Sequence, residues 1–187
     1  MIIYLCRHGE THYNQQKKYY GSLDPSLTEK GKQQALQLVH KIQSLSLDTI
    51  LTSGMNRTKE TAEILYQRLD EITPINWIIE ANLNERDFGA WEGKDADEIE
   101  ETDPLTWQAF IEAPFDTTPF GAETYVAFKQ RIITTIQEIL SKQSPSSRLL
   151  IVGHQGALRV MVTELFDKNQ NFWDLQFEHG KVYKYIY

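Results

Sequence analysis

The sequence predicts an α/β fold: a three-layer α/β/α arrangement with a mostly parallel central sheet, helices on both faces and a helical cap insertion. Three observations predict it. Short apolar runs alternate with longer stretches whose apolar positions recur at helical spacing. The polar residues with chemical potential stand directly after the short runs. A chain of 187 residues with 41% hydrophobic and 24% charged content suits one domain, residues 1–187, with one core.

Each element has its own signal. Ile2–Cys6 is a buried strand, too short for a helix and rich in β-formers. From about Glu29 to Leu45, Ala35, Leu38, Val39 and Ile42 line one helix face. Either Ser26, with Glu29 three residues later, or Thr28 caps its start. Asp48–Thr52 reads as a second strand, followed by a helix near Asn56–Leu69 that buries Ala62, Leu65 and Leu69. Ile75–Ile79 is a third strand. Helical spacing returns near Asp95–Glu101 and from about Glu123 to Leu140, where Phe128, Ile132, Ile136, Ile139 and Leu140 form a stripe. Ser144-Pro145-Ser146-Ser147 turns the chain into Leu149–Val152, the most strand-like run. Lys181–Tyr187 is a last strand, placed at an edge by its lysines. Residues 94–123 break the alternation, with nine acids, one base (Lys94) and the breakers Pro104, Pro114 and Pro119. This segment is the expected cap insertion.

Composition narrows the function classes. With 19 Lys and Arg against 26 Asp and Glu, the net charge of −7 argues against coating nucleic acid or an anionic membrane. The single cysteine, Cys6, allows no intramolecular disulfide and no Cys-rich zinc site. No apolar stretch approaches the ~20 residues of a membrane span, and the opening segment lacks a basic leader. A soluble cytoplasmic protein acting on a small molecule is expected, with a homodimer left open.

The residues after the strands form a set: Arg7-His8-Gly9-Glu10-Thr11, then Ser53 and Arg57, then Glu85, then Gly153-His154-Gln155-Gly156. Two arginines, two histidines and a carboxylate suit phosphate. Arginine matches phosphate oxygens with a planar fork of donors, and helix N-termini add backbone N–H groups. A histidine can attack phosphorus and carry the phosphoryl group covalently, while a protonated carboxyl supplies the leaving alkoxide with a proton. His154 read alone also suits a helix cap or a metal ligand, and Glu10, Asp87 and Glu92 compete with Glu85. His12, His40 and His179 read as surface residues. Cys6 reads as a strand residue because no arginine stands where a cysteine phosphatase needs one, and His8-Gly9-Glu10 lacks the later cysteines of a zinc deaminase.

Arg7-His8-Gly9-Glu10-Thr11 after an opening strand resembles the histidine phosphatase (phosphoglycerate mutase-like) superfamily, and the resemblance covers most of the chain. Asn14, Gly21, Asp24, Leu27-Thr28 and Gly31 are similar to its next loop and helix start. Residues 53–62 resemble the second-arginine segment, residues 83–93 the acid segment, Gly121-Ala122-Glu123-Thr124 with Arg131 its Gly-Gly-Glu-Ser stretch, and residues 153–156 the second-histidine motif. Thr58, Glu60 and Ala122 depart from the usual Ala, Gln and Gly, and Tyr20 from a smaller or amide side chain. The resemblance implies that His8 is the nucleophile, that Arg7, Arg57, Asn14 and His154 hold the phosphoryl oxygens, and that Glu85 is the acid and then the base. It places Tyr20, Gly21 and Gln155 with Asn14 on the substrate side, and it implies no metal and no cofactor. A phosphatase acting on a monoester with a neutral, apolar or aromatic leaving group is expected, because nine acids in the cap would repel a multiply charged one. A phosphoglycerate mutase and a silent binding module on the same fold are the alternatives.

Overall fold

Side-chain alternation along the short strands sets the layers. In the computed structural model, which describes residues 1–69 and 74–187, the strands are β1 (Ile2–Arg7), β2 (Thr49–Ser53), β3 (Asn76–Glu80), β4 (Arg148–Gly153) and β5 (Tyr183–Ile186). They form one sheet in the order β3-β2-β4-β1-β5, parallel except for β5, which runs antiparallel to β1 at the edge. Ile3, Leu5, Leu51, Leu149 and Ile151 enter one apolar cluster, whereas Tyr4, Cys6, Ile50, Leu150 and Val152 enter another on the opposite face. Strands buried on both faces read as continuous apolar runs, which explains why β1, β2 and β4 show no polar alternation.

The helices are α1 (His12–Gln15), α2 (Glu29–Ile42), α3 (Asn56–Leu69), α4 (Ala96–Thr102), α5 (Pro104–Glu112), α6 (Tyr125–Ser141) and α7 (Gln155–Met161). Leu38 and Ile42 of α2 and Ala62 and Leu65 of α3 cover one sheet face; Phe128, Ile132 and Ile136 of α6 and Leu158 of α7 cover the other. Thr28 is the N-cap of α2, its Oγ1 accepting from Gly31 N at 3.0 Å, which settles the choice against Ser26. The helices differ from expectation at three places, the first being the short α1, which the sequence pattern does not predict. Pro104, read as a breaker, opens α5, because the first helical turn needs no amide from it. The apolar run after His154 continues as α7 and a π-turn over Val162–Phe166, an element with too few residues for a periodic signal. Ile99 and Phe110 of residues 94–123 join Trp91 in a third, small apolar cluster. Among the described residues no helix is long and apolar enough to cross a membrane.

Candidate active site

Strand register brings the two histidines together. Arg7 of β1 stands opposite Gly153 of β4, and His8 N donates to Gly153 O at 3.0 Å. Each strand is followed by a histidine, so the rings of His8 and His154 lie 5.3 Å apart at 61°. β2 adds Ser53, whose Oγ lies 2.8 Å from His154 Nε2.

Local bonds fix the proton on His8. Its Nδ1 lies 2.7 Å from Gly9 O, and a carbonyl only accepts, so Nδ1 carries the hydrogen and Nε2 keeps its lone pair. The ring is 2% exposed. Burial, then the neighbouring His154, Arg57 and Arg7, hold its pKa well below 6.5, so the imidazole is neutral at neutral pH. Burial, then Arg57, Arg7 and Arg131, do the same to His154.

The arginines are held differently. Arg57 is fully buried over the Tyr20 ring: Nη1 donates to Leu23 O at 2.8 Å, Nη2 to Gly21 O at 2.9 Å and Nε to His154 Nδ1 at 3.3 Å, and Asp24 Oδ1 lies 3.3 Å from Nη1. Arg7, by contrast, has a buried Nε with no partner. A buried donor left without an acceptor costs about 1–3 kcal/mol, so this one marks a place where a ligand oxygen belongs. Asn14 also points donors at the site, because its Oδ1 accepts from Thr11 N at 3.0 Å and Tyr20 Oη at 2.9 Å, leaving the Nδ2 amino group.

Of the residues expected on the substrate side, Tyr20 and Gln155 line the cavity and Gly21 does not; Gly21 and Gln155 also bond to the protein. The Gly21 amide donates to Glu92 Oε1 at 2.8 Å and its carbonyl receives Arg57; a Cβ there would stand 1.7 Å from Arg86 O. Gln155 lines the cavity but donates to Leu175 O at 3.0 Å and accepts from Phe177 N at 3.1 Å, which pins the C-terminal segment. Glu92, weighed above only as a rival to Glu85, holds the Arg57-binding loop by accepting from the amides of Gly21, Ser22 and Leu23.

Glu85 is placed by backbone. Oε1 accepts from Arg86 N at 3.0 Å and Oε2 from Gly156 N at 2.8 Å. Arg131, paired with Glu123 at 2.7 Å, donates to the carbonyls of Asn84 and Glu85 and so fixes the strand of chain behind the carboxylate. A Cβ at Gly156 would come within 2.5 Å of Glu85 Oε1. Gly156→Ala is therefore expected to displace Glu85 and cut kcat/KM by about 10²-fold, with the fold intact, as paired turnover and thermal-melt measurements would show.

His179 corrects the surface reading. It lines the cavity, its ring lies 5.7 Å from that of His8, and its Nδ1 donates to His8 O at 2.6 Å. Burial, then Arg7, lowers its pKa to about 4. No motif announces it, because only the pairing of β5 with β1 returns this part of the chain to His8.

The cavity beside these residues has a volume of about 540 Å³; Arg7, Asn14, Glu85 and His179 line it, whereas His8, His154 and Arg57 are buried and do not. Nine of its lining side chains are Phe, Tyr or Trp, five are Arg or Lys, and the one carboxylate is Glu85. None of the nine cap acids lines it, so the expected repulsion of charged leaving groups does not arise from them. Four of the acids serve elsewhere: Asp95 and Glu98 close the first turn of α4 and pair with Lys18, Asp103 accepts from Trp91 Nε1 at 3.0 Å, and Glu123 pairs with Arg131. Of the cap aromatics, Phe88, Phe110 and Phe115 face the cavity, while Trp91 is buried in the third apolar cluster and Phe120 is 88% exposed. Among the described residues no group of three His, Cys, Asp or Glu side chains is placed to hold a metal ion.

A carboxyl group and an unfilled cationic donor lining one cavity, with a neutral imidazole buried next to them, form an arrangement suited to phosphoryl transfer. The family model described as histidine phosphatase superfamily (branch 1) matches residues 3–187. A Salmonella paratyphi A protein named "Probable phosphoglycerate mutase GpmB" is 32% identical over 164 residues, 87% of this chain and 74% of the relative. Among solved structures, YhfR of Bacillus stearothermophilus superposes with a TM-score of 0.85 at 31% identity, and the alpha-ribazole phosphatase of Shigella flexneri with 0.84 at 27%. Each similarity covers 98% of this chain and 89% of the other.

Proposed function

The chain belongs to the histidine phosphatase superfamily, and on that premise we propose that it is a metal-independent phosphomonoesterase acting through a phosphohistidine on His8. The His8 Nε2 lone pair attacks phosphorus as the ester P–O bond breaks, and Glu85 gives its proton to the departing oxygen. The Nδ1 hydrogen bond to Gly9 O stabilises the positive charge that the ring acquires. Glu85, now ionised, takes a proton from water; the water oxygen attacks phosphorus, the N–P bond breaks and phosphate leaves. Arg7 and Asn14 hold the phosphoryl oxygens, and Arg57, held behind them against His154, supplies further positive charge. A cytoplasmic setting fits the free thiol of buried Cys6.

The aromatic wall of the cavity carries the choice of phosphatase over mutase. Apolar rings favour release of an apolar or aromatic leaving group over retention of a small, highly charged bisphosphate. The mutase reading keeps support from the cations that line the cavity and from the relative named for that activity.

The test follows phosphate release in EDTA from p-nitrophenyl phosphate, phenyl phosphate and 3-phosphoglycerate. Release from the aryl esters is expected; isomerisation of 3-phosphoglycerate without release would establish the mutase. Glu85→Gln should slow phenyl phosphate by about 10²–10³-fold and p-nitrophenyl phosphate far less, since nitrophenolate leaves without a proton. Equal losses would remove Glu85 from the acid role.

A further inference from the structure

Five cations line the cavity, and the phosphoryl group does not account for all of them. Arg7 faces the reacting group, and Lys17 is exposed at the rim, where water solvates its charge. Arg86 is tied through Nε to Glu123 O at 2.8 Å, and Lys18 is paired with Glu98 at 2.5 Å. Arg159 differs. It donates Nε to Leu175 O at 2.8 Å, which leaves both terminal amino groups, and its guanidinium lies 5.2 Å from the Phe172 ring centre and 5.5 Å from that of Trp173. Among the described residues no carboxylate forms an ion pair with it. A half-buried cation without a counter-charge is costly unless an anion reaches it.

The position of Arg159 says which part of a substrate it meets. Gly156 and Arg159 lie three residues apart on α7, on one helix face. The Gly156 amide holds Glu85, the group placed to protonate the leaving oxygen. Arg159 stands one turn beyond that donor, on the side where a leaving group protonated by Glu85 would extend, and it is within electrostatic reach of both Glu85 and Arg7. The walls there are flat. Phe115 stacks on Trp173 at 5.4 Å and 21°, Tyr125 lies 4.3 Å from Phe115, and all three line the cavity. A volume of about 540 Å³ is far more than a phosphoryl group occupies.

We propose that Arg159, Phe172 and Trp173 form a leaving-group subsite for a planar ring that carries a second oxyanion. The rings stack on the plane, and the free edge of the guanidinium takes a carboxylate or similar group in bidentate fashion. The assignment rests on the phosphomonoesterase reading and narrows its substrates to anionic aryl or heteroaryl phosphates. The cap acids do not oppose it, since none lines the cavity.

The test compares 4-carboxyphenyl phosphate with the neutral 4-carbamoylphenyl phosphate, with glycerol phosphate as the non-planar control. The intrinsic difference in leaving-group acidity cancels when the carboxylate-to-amide ratio of kcat/KM in wild type is divided by that ratio in a variant. That quotient is expected to be about 10-fold or more for Arg159→Gln and closer to unity for Arg159→Lys, which keeps the charge. Trp173→Ala should lower both aryl esters relative to glycerol phosphate by about 10-fold. If Arg159→Gln and Arg159→Lys lower the carboxylate and amide esters alike, Arg159 only anchors Leu175 and the subsite is refuted. If wild type releases phosphate from none of the esters and His8 takes no phosphoryl label, the phosphomonoesterase reading itself falls.

Discussion

His8→Ala is expected to lower kcat on aryl phosphates by about 10⁵-fold or more, leaving a protein that still folds. The loss is large because no other group can take over the attack. His154 lies beside His8, but its Nε2 is 2.8 Å from Ser53 Oγ and its Nδ1 receives Arg57 Nε, so neither nitrogen has a lone pair directed at the cavity. His179 spends its Nδ1 hydrogen on His8 O and follows the main chain that His8 itself anchors. Wild type quenched in base after mixing with labelled ester should hold a base-stable, acid-labile phosphoryl group, and His8→Ala should hold none. Label retained by the variant would place the nucleophile elsewhere.

The same burial predicts a pH signature. His8 and His154 are held well below 6.5, so wild-type kcat/KM should show no fall through an ordinary imidazole titration near that value. Stability carries the matching sign: a histidine whose folded pKa is depressed binds fewer protons than in the unfolded chain. Its contribution is full above about 6.5 and declines as pH falls below it, and His179, with a folded value of about 4, extends that decline toward pH 4. Urea midpoints measured from pH 8 to 4.5 would show it. A midpoint flat across that window would mean that the unfolded and folded histidines titrate alike.

How much of this was legible in the sequence depends on the range of the interaction. Strand-end residues such as Arg7, His8 and His154 were readable because a parallel sheet gathers its strand termini, so local pattern and motif point to one place. Glu85 was readable from its segment, although its position depends on the amide of Gly156, 71 residues away. The roles of Gly21 and Gln155 were not readable. A motif position shows that a residue matters, whereas its hydrogen-bond partners decide whether it meets substrate or protein. His179 had no local signal at all. The cap acids misled because a count of charges along the chain does not say which way side chains point; here none lines the cavity and Asp95, Glu98 and Glu123 serve as caps or ion-pair partners, while aromatic and basic side chains face inward. Pro104 misled for a similar reason, since a helix breaker within a helix is a helix former at its first turn.

Arg7 and Arg57 should separate when each is replaced by alanine. Both changes are expected to cost about 10³-fold or more in kcat/KM, because each removes positive charge from a water-poor phosphoryl site. Their effects on the empty protein should differ. Arg57 bonds to Gly21 O, Leu23 O and Asp24, so its loss leaves buried carbonyls unpaired and should lower stability by roughly 2–4 kcal/mol. Arg7 keeps a buried Nε without a partner, so its loss removes an unsatisfied donor and should leave the urea midpoint unchanged or raise it. Binding should show the converse. Vanadate or inorganic phosphate at about 100 times its Kd stabilises wild type by about 2.7 kcal/mol, and that gain should vanish in Arg7→Ala. If Arg7→Ala destabilises the empty protein as much as Arg57→Ala does, the Arg7 guanidinium has a structural partner and is not the vacant receptor for a phosphoryl oxygen. If instead the two arginines separate as described, one side chain builds the loop that frames the site while the other waits for the ligand.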